Sequence, residues 1–584
     1  MKQYYTCLFG GEAGYGVMSA GAMVGKGAGR NGLWSVVVNE YPSLIKGGLN
    51  SCLVRLADEP LHSYQEGLDF LGAMSQPAYD GFAAQVKKGG IILYDSGAVK
   101  VNPETAPDGV RLIPVGLVQS VPGDAARVMA NSALLGAFCA LTGFPQDILT
   151  QVMATEFPKA EVAQQNISLL TETYKRVAAG MAEQPKFPLA FSPGAERKML
   201  LNGNDAIAMG AVQGGCQFAA GYPMTPGSSI LVYLADHGPE YGLVFKQAED
   251  EIAAMNMLIG ASFAGARVIG ATSGGGFSLM VEALGFAAQA ELPVVMVEAQ
   301  RGGPSTGLPT RTMQADLDFV TYASQGEFPR LVVAPGDIEE CFYETCRLFN
   351  LTDKYQVPGI ILTDKYLADT AFTRPHFDTS GLGISRGKLA DETWLAANQP
   401  YKRYQLTADG VSVRAFPGQA GGRHIATSYT HGEDGFYSSG NREHAAAEPA
   451  TTTAGIDKWY RKVPFMEADI PGVKLYGPAE AELTVIAWGS TKGAVLEAME
   501  EACQDGMSVN FLQVLYMAPF PAQQMNRLLK TVKKSLLVEG NKTGQLGRMI
   551  RAYTGYKTDD SYLKYDSRPF VPAGILAKIK EVLA

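Results

Sequence analysis

With 584 residues, 46% of them hydrophobic, the chain can build several cores, and a prior of about 150 residues per domain predicts roughly three to five domains. Its 66 glycines and 32 prolines make turns frequent, without collagen-like periodicity or overall disorder. The net charge is −9 and no block of five like charges occurs, which argues against a nucleic-acid surface and against a basic membrane-binding helix. The seven cysteines (Cys7, Cys52, Cys139, Cys216, Cys341, Cys346, Cys503) are scattered, odd in number and free of C-x-x-C. That usage predicts reduced thiols and a cytoplasmic location, and argues against an iron–sulfur cluster or a zinc centre on this chain. The start, "MKQYYTCLFGGEAGYG", reaches glycine too early for a signal peptide, and no apolar run nears 18 residues, so no transmembrane helix is expected.

In chain order, strand-like "YYTCLF" runs into the glycine loop "GGEAGYG" and the helix-like "VMSAGAMVGKGAGRNG". The apolar runs "SVVVNE", "NSCLVRL" and "GGIILYDSG" follow, with a helical stretch over 124–142. Strands alternating with helices predict a parallel α/β sheet over residues 1–182. The three-proline stretch 183–195 reads as a linker. A second α/β segment covers 196–375: helical 204–221, the bend "YPMTPGSS", strand "GLVFKQ", helix "AEDEIAAMNMLIGASFAGA", strand "RVIGATS", helix 279–290, and strands "LPVVMVEAQR", "RLVVAP" and "GIILTD". Residues 376–478 turn polar and aperiodic, as a connecting or covering segment does. A third α/β unit over 479–584 carries "LTVIAWGS", helix 491–505, "SVNFLQV", helix 522–530 and "KSLLVEGN".

Five motifs carry chemistry. Gly10, Gly11, Gly14 and Gly16 lie between a strand and a helix, where free N–H groups can face an anion, although the run misses G-x-G-x-x-G and serves equally as a tight turn. "GAMVGKG" mimics a P-loop, but Ala20 stands where the first glycine belongs and Gly27 where Ser or Thr belongs. In "YPMTPGSS", Pro223 and Pro226 force Tyr222 and Thr225 into extended conformations and hold Thr225 in a bend, with Gly227, Ser228 and Ser229 offering cap character to the next helix. In the "AEDEI" helix, Glu251 shares the face of Ala254, Met255, Leu258 and Ser262. Acidic decoration of a helix start accounts for Glu249 and Asp250 but not for Glu251. Arg301 follows a strand and has a planar fork suited to a carboxylate, with Thr306 and Thr310 on the Gly/Pro-rich loop after it. Glu539, Asn541 and Gln545 mark a capped turn.

Together "YPMTPGSS", "EDEIAAMNMLIGAS", "TSGGGFSLMVEALG", "QRGGPSTGLPTRTMQADL" and "VEGNKTGQLGRMI" resemble the alpha subunit of 2-oxoacid:ferredoxin oxidoreductases. "GGEAGYGVMSAG" with "NEYPSLIKGGLNS" resembles that family's gamma domain, fused ahead of alpha as in the 2-oxoglutarate-type enzymes. The resemblance implies a multidomain α/β fold: transketolase-like, thiamine diphosphate-binding domains at 196–375 and 479–584 behind an N-terminal gamma-type domain. It implies oxidative decarboxylation of 2-oxoglutarate with coenzyme A to succinyl-CoA, carbon dioxide and reduced ferredoxin, with pyruvate or branched-chain 2-oxoacids as alternatives. A beta subunit is expected to hold the diphosphate, Mg2+ and a [4Fe–4S] cluster; this sequence has neither G-D-G with a distal Asn nor a cysteine cluster. By alignment Glu251 matches the glutamate that bonds the aminopyrimidine ring. Thr225 matches the threonine near thiazolium and substrate, with Pro223 on the cofactor side and Tyr222 on the substrate side. Arg301 matches the substrate-carboxylate arginine, and Thr310 a substrate-side hydroxyl. Coenzyme A is associated with the gamma domain, which points to Gly14, Gly16 and Lys46, although the basic residue some relatives carry after the glycine loop is replaced here by Ala20–Gly21. A Rossmann-type nicotinamide enzyme and a non-catalytic scaffold subunit stay open as readings from other classes.

Overall fold

The computed structural model describes residues 3–584 except 45–46, 103, 105, 121–125, 193 and 440–441. Two compact units divide it, Met1–Asn202 with Asp369–Phe377, and Gly203–Ala368 with Asp378–Ala584. The strands run β1 Tyr4–Glu12, β2 Trp34–Glu40, β3 Leu49–Ala57, β4 Leu68–Ala73, β5 Val86–Asp95, β6 Arg111–Val115 and β7 Met199–Leu201. They continue as β8 Phe218–Gly221, β9 Val244–Gln247, β10 Val268–Thr272, β11 Val295–Gln300, β12 Leu331–Val333, β13 Gly359–Asp364 and β14 Ala371–Arg374. The remainder are β15 Val473–Tyr476, β16 Leu483–Ala487, β17 Val509–Val514, β18 Tyr516–Ala518, β19 Ser535–Glu539 and β20 Asp560–Leu563.

The first unit is built on an eight-stranded sheet in the order β6-β5-β4-β1-β3-β2-β14-β7. Alternation of strand and helix predicts a parallel sheet, and one half is parallel (β1 with β4, β4 with β5, β5 with β6). The other half is not: β3 runs antiparallel to both β1 and β2. Only residues 41–48 join β2 to β3, fewer than the dozen or so that a parallel crossover needs. Glycines draw the helix Val17–Arg30 onto this sheet, since a Cβ at Gly21 would lie 2.1 Å from Cys52 Sγ and one at Gly25 2.5 Å from Val37 Cγ2. The P-loop-like "GAMVGKG" is thus the packing face of a helix. Sequence pattern assigns 196–375 whole to the second segment, but β14 pairs with β2 and β7, so 199–201 and 371–374 belong to the first unit. Strands of three and four residues are too short for periodicity to reveal.

The second unit holds a seven-stranded sheet, β18-β12-β13-β11-β10-β8-β9, and a five-stranded one, β15-β17-β16-β19-β20. The seven-stranded sheet is parallel except at its edge, where β18 from the C-terminal segment runs antiparallel to β12. One core serves both sheets, with Met255, Phe277 and Met296 in the same cluster as Trp488, Leu512 and Ile550. The helix expected over 204–221 ends at Gln213, because Gly215 turns left-handed (φ 76°) and releases the chain into β8. The helix expected from 279 starts earlier, at Gly274.

Residues 376–478 carry more structure than their polarity suggests: helices Glu392–Ala397, Arg442–Arg461 and Val463–Asp469, besides β15. Buried charges fasten them. Glu291 receives Lys462 Nζ at 2.8 Å and pairs with Lys458 Nζ, while Arg403 Nη2 donates to the Glu291 carbonyl at 2.8 Å. Burial pushes the Glu291 carboxyl up in pKa, but Lys458 and Lys462 outweigh it and hold the group well below the usual carboxylate range. Asp353 likewise binds Arg267 at 2.8 Å and Arg414 at 2.6 Å. Among the described residues, no helix is long and apolar enough to cross a membrane.

Glu291→Gln leaves two buried ammonium groups short of a counter-charge and is expected to lower stability by about 3–5 kcal/mol, read as a drop in thermal unfolding midpoint. Lys402→Ala removes a solvent-facing partner of Glu433 and should change the midpoint by the equivalent of ~1 kcal/mol or less.

Candidate active site

After β8 the chain steps outward to β9 and then returns to β10 on the other side of β8, so strand order reverses there. In parallel α/β sheets that is where ligands bind, at the carboxyl ends of the strands. Four strand ends deliver the candidate residues there: Tyr222–Thr225 follow β8, Glu251 follows β9, the glycines 274–276 follow β10, and Arg301 follows β11.

The bend after β8 is held from three sides. Asn204, fully buried, donates through Nδ2 to the Pro226 carbonyl and to Ser229 Oγ, both at 2.7 Å. Arg301 Nη1 donates to the Thr225 carbonyl at 2.6 Å. Gly227 lies so near β10 that a Cβ would sit 2.7 Å from the Thr272 carbonyl oxygen. Gly227 is the N-cap of the helix Ser228–His237 and has no side chain to offer, so the expected side-chain cap is absent there and Ser229 serves Asn204 instead. Thr225 is half-buried, while Tyr222 and Pro223 are exposed.

Glu251 opens the helix Glu251–Phe263 and is buried, together with Ala254, Met255, Leu258 and Ser262 on the expected face. Asp250 takes the capping role, accepting from Ala253 N at 2.8 Å, so the acidic start divides into a solvent-side cap and a carboxyl turned inward. Inside, Glu251 meets the start of the helix Gly274–Gln289. A Cβ at Gly276 would fall 2.6 Å from Glu251 Oε1 and 2.1 Å from Thr272 Oγ1. Gly276 N–H in turn donates to Met224 Sδ at 3.2 Å, which ties the bend to the same spot. Glu251 Oε1 has no hydrogen-bond partner among the described residues. A buried carboxyl oxygen without a donor is costly and marks a place for a donor from outside.

Behind Arg301 stands an acidic group that sequence pattern does not single out. Glu298 of β11 is fully buried, and Asp316 approaches it across Gly274. Burial pulls the Arg301 guanidinium below its ordinary pKa, and Glu298 opposes that shift. The loop after Arg301 folds back through a Gly302–Leu308 bridge and is anchored on the turn after β19. Gln314 N donates to the Gly540 carbonyl at 2.9 Å, and Asn541 Nδ2 to the Gln314 carbonyl at 3.0 Å. Thr310 is buried in this loop, and no hydrogen bond among the described residues joins it to Thr225, Glu251 or Arg301. Thr306 is exposed. Glu539 closes its own turn, accepting from Leu546 N and Gly547 N at 3.0 Å, as a capped turn requires.

Thr225, Arg301 and, by way of Met224 and Gly276, Glu251 therefore meet at one crevice. In the first unit, Gly14 (φ 100°) and Gly16 (φ 67°) form the left-handed loop ahead of the helix Val17–Arg30. A cavity of about 410 Å³ opens beside Gly16, with Ser19, Lys26, Asn131 and Phe157 among its walls. Lys46 lies outside the described residues. The residues missed from sequence are Asn204, Gly276 and Glu298. The run "TSGGGF" was the available signal for Gly276, as three glycines where a strand meets a helix indicate close approach.

Comparison with known proteins bears on this geometry directly. Residues 209–447 match the family model "Pyruvate flavodoxin/ferredoxin oxidoreductase, thiamine diP-bdg", residues 6–176 "Pyruvate ferredoxin/flavodoxin oxidoreductase", and residues 481–565 "Pyruvate:ferredoxin oxidoreductase core domain II". The alpha subunit of 2-oxoacid:ferredoxin oxidoreductase 2 from Aeropyrum pernix is 31% identical, over 99% of this chain and 97% of its own. The chain belongs to the 2-oxoacid:ferredoxin oxidoreductase alpha-subunit family. The 2-oxoglutarate synthase subunit KorA of Methanothermobacter thermautotrophicus is 35% identical over 60% of this chain and 88% of its own. A solved 2-oxoglutarate:ferredoxin oxidoreductase from Magnetococcus marinus, with 2-oxoglutarate, coenzyme A and succinyl-CoA bound, superposes with a TM-score of 0.89 at 31% identity over 100% of both chains. Membership in this oxidoreductase family, and a first sheet whose mixed order departs from the doubly wound dinucleotide fold, displace the nicotinamide alternative.

The packing at Gly276 yields a paired test. Gly276→Ala forces Glu251 or Thr272 aside and is expected to cost about 1–3 kcal/mol of stability. At the neighbouring Gly275→Ala, the nearest atom to the new methyl is Met224 Sδ at 3.8 Å, so its unfolding midpoint should stay near wild type.

Proposed function

We propose that this chain is the catalytic alpha subunit, with its gamma domain fused, of a 2-oxoglutarate:ferredoxin oxidoreductase, and that Glu251, Arg301 and Thr225 carry its part of the chemistry. The observation that carries the proposal is the orphaned, buried Oε1 of Glu251 at the switch point. It fits the protonated ring nitrogen of an aminopyrimidine, the one part of thiamine diphosphate that seeks a carboxyl partner. When bound, thiamine diphosphate supplies a carbon nucleophile and an electron sink for decarboxylating a 2-oxoacid. Glu251 Oε1 would accept that ring N–H and orient the ring, Pro223 and Thr225 border the cofactor, and Tyr222, Thr225 and Thr310 border the substrate. Arg301, fixed by the Thr225 carbonyl, receives the substrate carboxylate on its remaining N–H groups.

The substrate choice rests on the 2-oxoglutarate-named relatives and on the solved relative with 2-oxoglutarate and both coenzyme A species bound. The acyl group leaves on coenzyme A as the thioester, and electrons leave singly to ferredoxin. Gly14 and Gly16, at a loop with free backbone conformation beside a cavity, are the proposed coenzyme A contacts. A beta subunit completes the site and brings the diphosphate contacts, Mg2+ and the [4Fe–4S] cluster. Its proposed docking face includes Tyr222, Ile252, Leu279 and Leu308, large apolar side chains left 40–52% exposed next in sequence to the site residues. The cytoplasm is the proposed location.

In the assembled alpha–beta enzyme, Glu251→Ala is expected to lower 2-oxoacid-dependent dye reduction by about 10²–10⁴-fold without loss of subunit association. Retained turnover would instead favour a scaffold role. Across a panel of 2-oxoacids with coenzyme A, 2-oxoglutarate is expected to give the highest kcat/KM, and a clear preference for pyruvate would refute the substrate assignment.

A further inference from the structure

Glu298 is the most unusual buried group near the site. It lies in the middle of the seven-stranded sheet, its β11 paired with β10 (Thr272 opposite Glu298) and with β13 (Leu362 opposite Glu298). Its exposure is 0%, and neither carboxyl oxygen has a hydrogen-bond partner among the described residues. A carboxylate so placed lacks both water and donors, and in such a setting the neutral acid is the stable form. The charged groups facing it come from three elements. Asp316 precedes the helix Leu317–Tyr322, and a Cβ at Gly274 would lie 2.8 Å from Asp316 Oδ2 and 3.6 Å from Glu298 Oε1. Asp364 ends β13 and is satisfied by Thr312 Oγ1 at 3.0 Å and Tyr366 N at 3.0 Å. Arg301, three residues beyond Glu298 at the same strand end, is the cation that acts on it. Burial drives the Glu298 carboxyl well above its usual pKa, Asp316 and Asp364 add to that, and Arg301 opposes it. Burial also carries Asp316 up to about 6.

We propose that Glu298 is a positioning residue held as a neutral acid at neutral pH, which keeps the charge of Arg301 free for the substrate carboxylate. An ionised Glu298 competes with that carboxylate for the same guanidinium, whereas a neutral one does not. The proposal rests on Arg301 as the carboxylate anchor, the reading given under Proposed function. Because Glu298 is protonated below its raised pKa and ionised above it, substrate affinity is full at low pH and falls as pH climbs through that value.

Two measurements on the assembled enzyme test it. Infrared difference spectra of wild type against Glu298→Gln should show, at neutral pH, a carboxylic-acid C=O band that the variant lacks; this reading needs no turnover. In kinetics, the wild-type KM for 2-oxoglutarate should rise with pH at a slope approaching about one decade per pH unit, the signature of one proton, while kcat moves little. In Glu298→Gln the KM should stay at its low-pH value throughout, and Glu298→Met, also neutral and of similar volume, should match it. Asp316→Asn should displace the wild-type rise without abolishing it. Absence of the acid band, a flat wild-type KM, or a variant KM that climbs as in wild type overturns the proposal. An acid band in an enzyme that turns over no 2-oxoacid upholds the neutral acid and refutes the functional reading on its own.

Discussion

A carboxyl group confined at the start of a helix, with one oxygen left without a donor, is the constraint on which the second unit depends. Such an oxygen costs on the order of 1–3 kcal/mol, and the chain offers it no internal remedy. Instead the surroundings are arranged to keep it in place. Asp250 takes over the cap, so Glu251 is free to turn inward. Gly276 removes the side chain that would otherwise fill the space against Oε1. Met224 bridges the bend to the helix start. Each is a local choice that keeps the carboxyl buried with Oε1 unpaired among the described residues.

The same economy of charge runs through the rest of the unit. Arg301 is anchored on a backbone carbonyl rather than on a carboxylate, which leaves its cationic charge unneutralised by a direct ion pair. By contrast, the buried cations that hold the covering segment (Lys458, Lys462, Arg267, Arg414) each meet an acid within hydrogen-bonding reach. Polar residues in 376–478 therefore form a fastened layer, whereas Glu251, Glu298 and Arg301 make no ion pair among the described residues.

Much of this was legible in the sequence. Glu251 stood out because it broke the logic of acidic decoration at a helix start, and Arg301 because it followed an apolar strand of core length. The strand–turn–helix order placed both at carboxyl ends, and the structure puts them there. The antiparallel half of the first sheet was not legible, because its cause is a connection length and not a side-chain pattern. Strands β7 and β14 are too short to show alternation. Glu298 sits inside an otherwise apolar strand, where a single acid carries no periodic signal, and only its surroundings reveal that its oxygens lack partners. Thr310 illustrates the opposite case: the motif brought it forward, yet its side chain shares no hydrogen bond with the other three site residues.

The most direct test of the role proposed for Glu251 is hydrogen exchange at the reactive ring carbon of thiamine diphosphate bound to the assembled enzyme, followed by rapid quench and NMR. The account predicts that exchange slows by about 10²–10⁴-fold in Glu251→Gln while the cofactor stays bound. Exchange at the wild-type rate in that variant would contradict it.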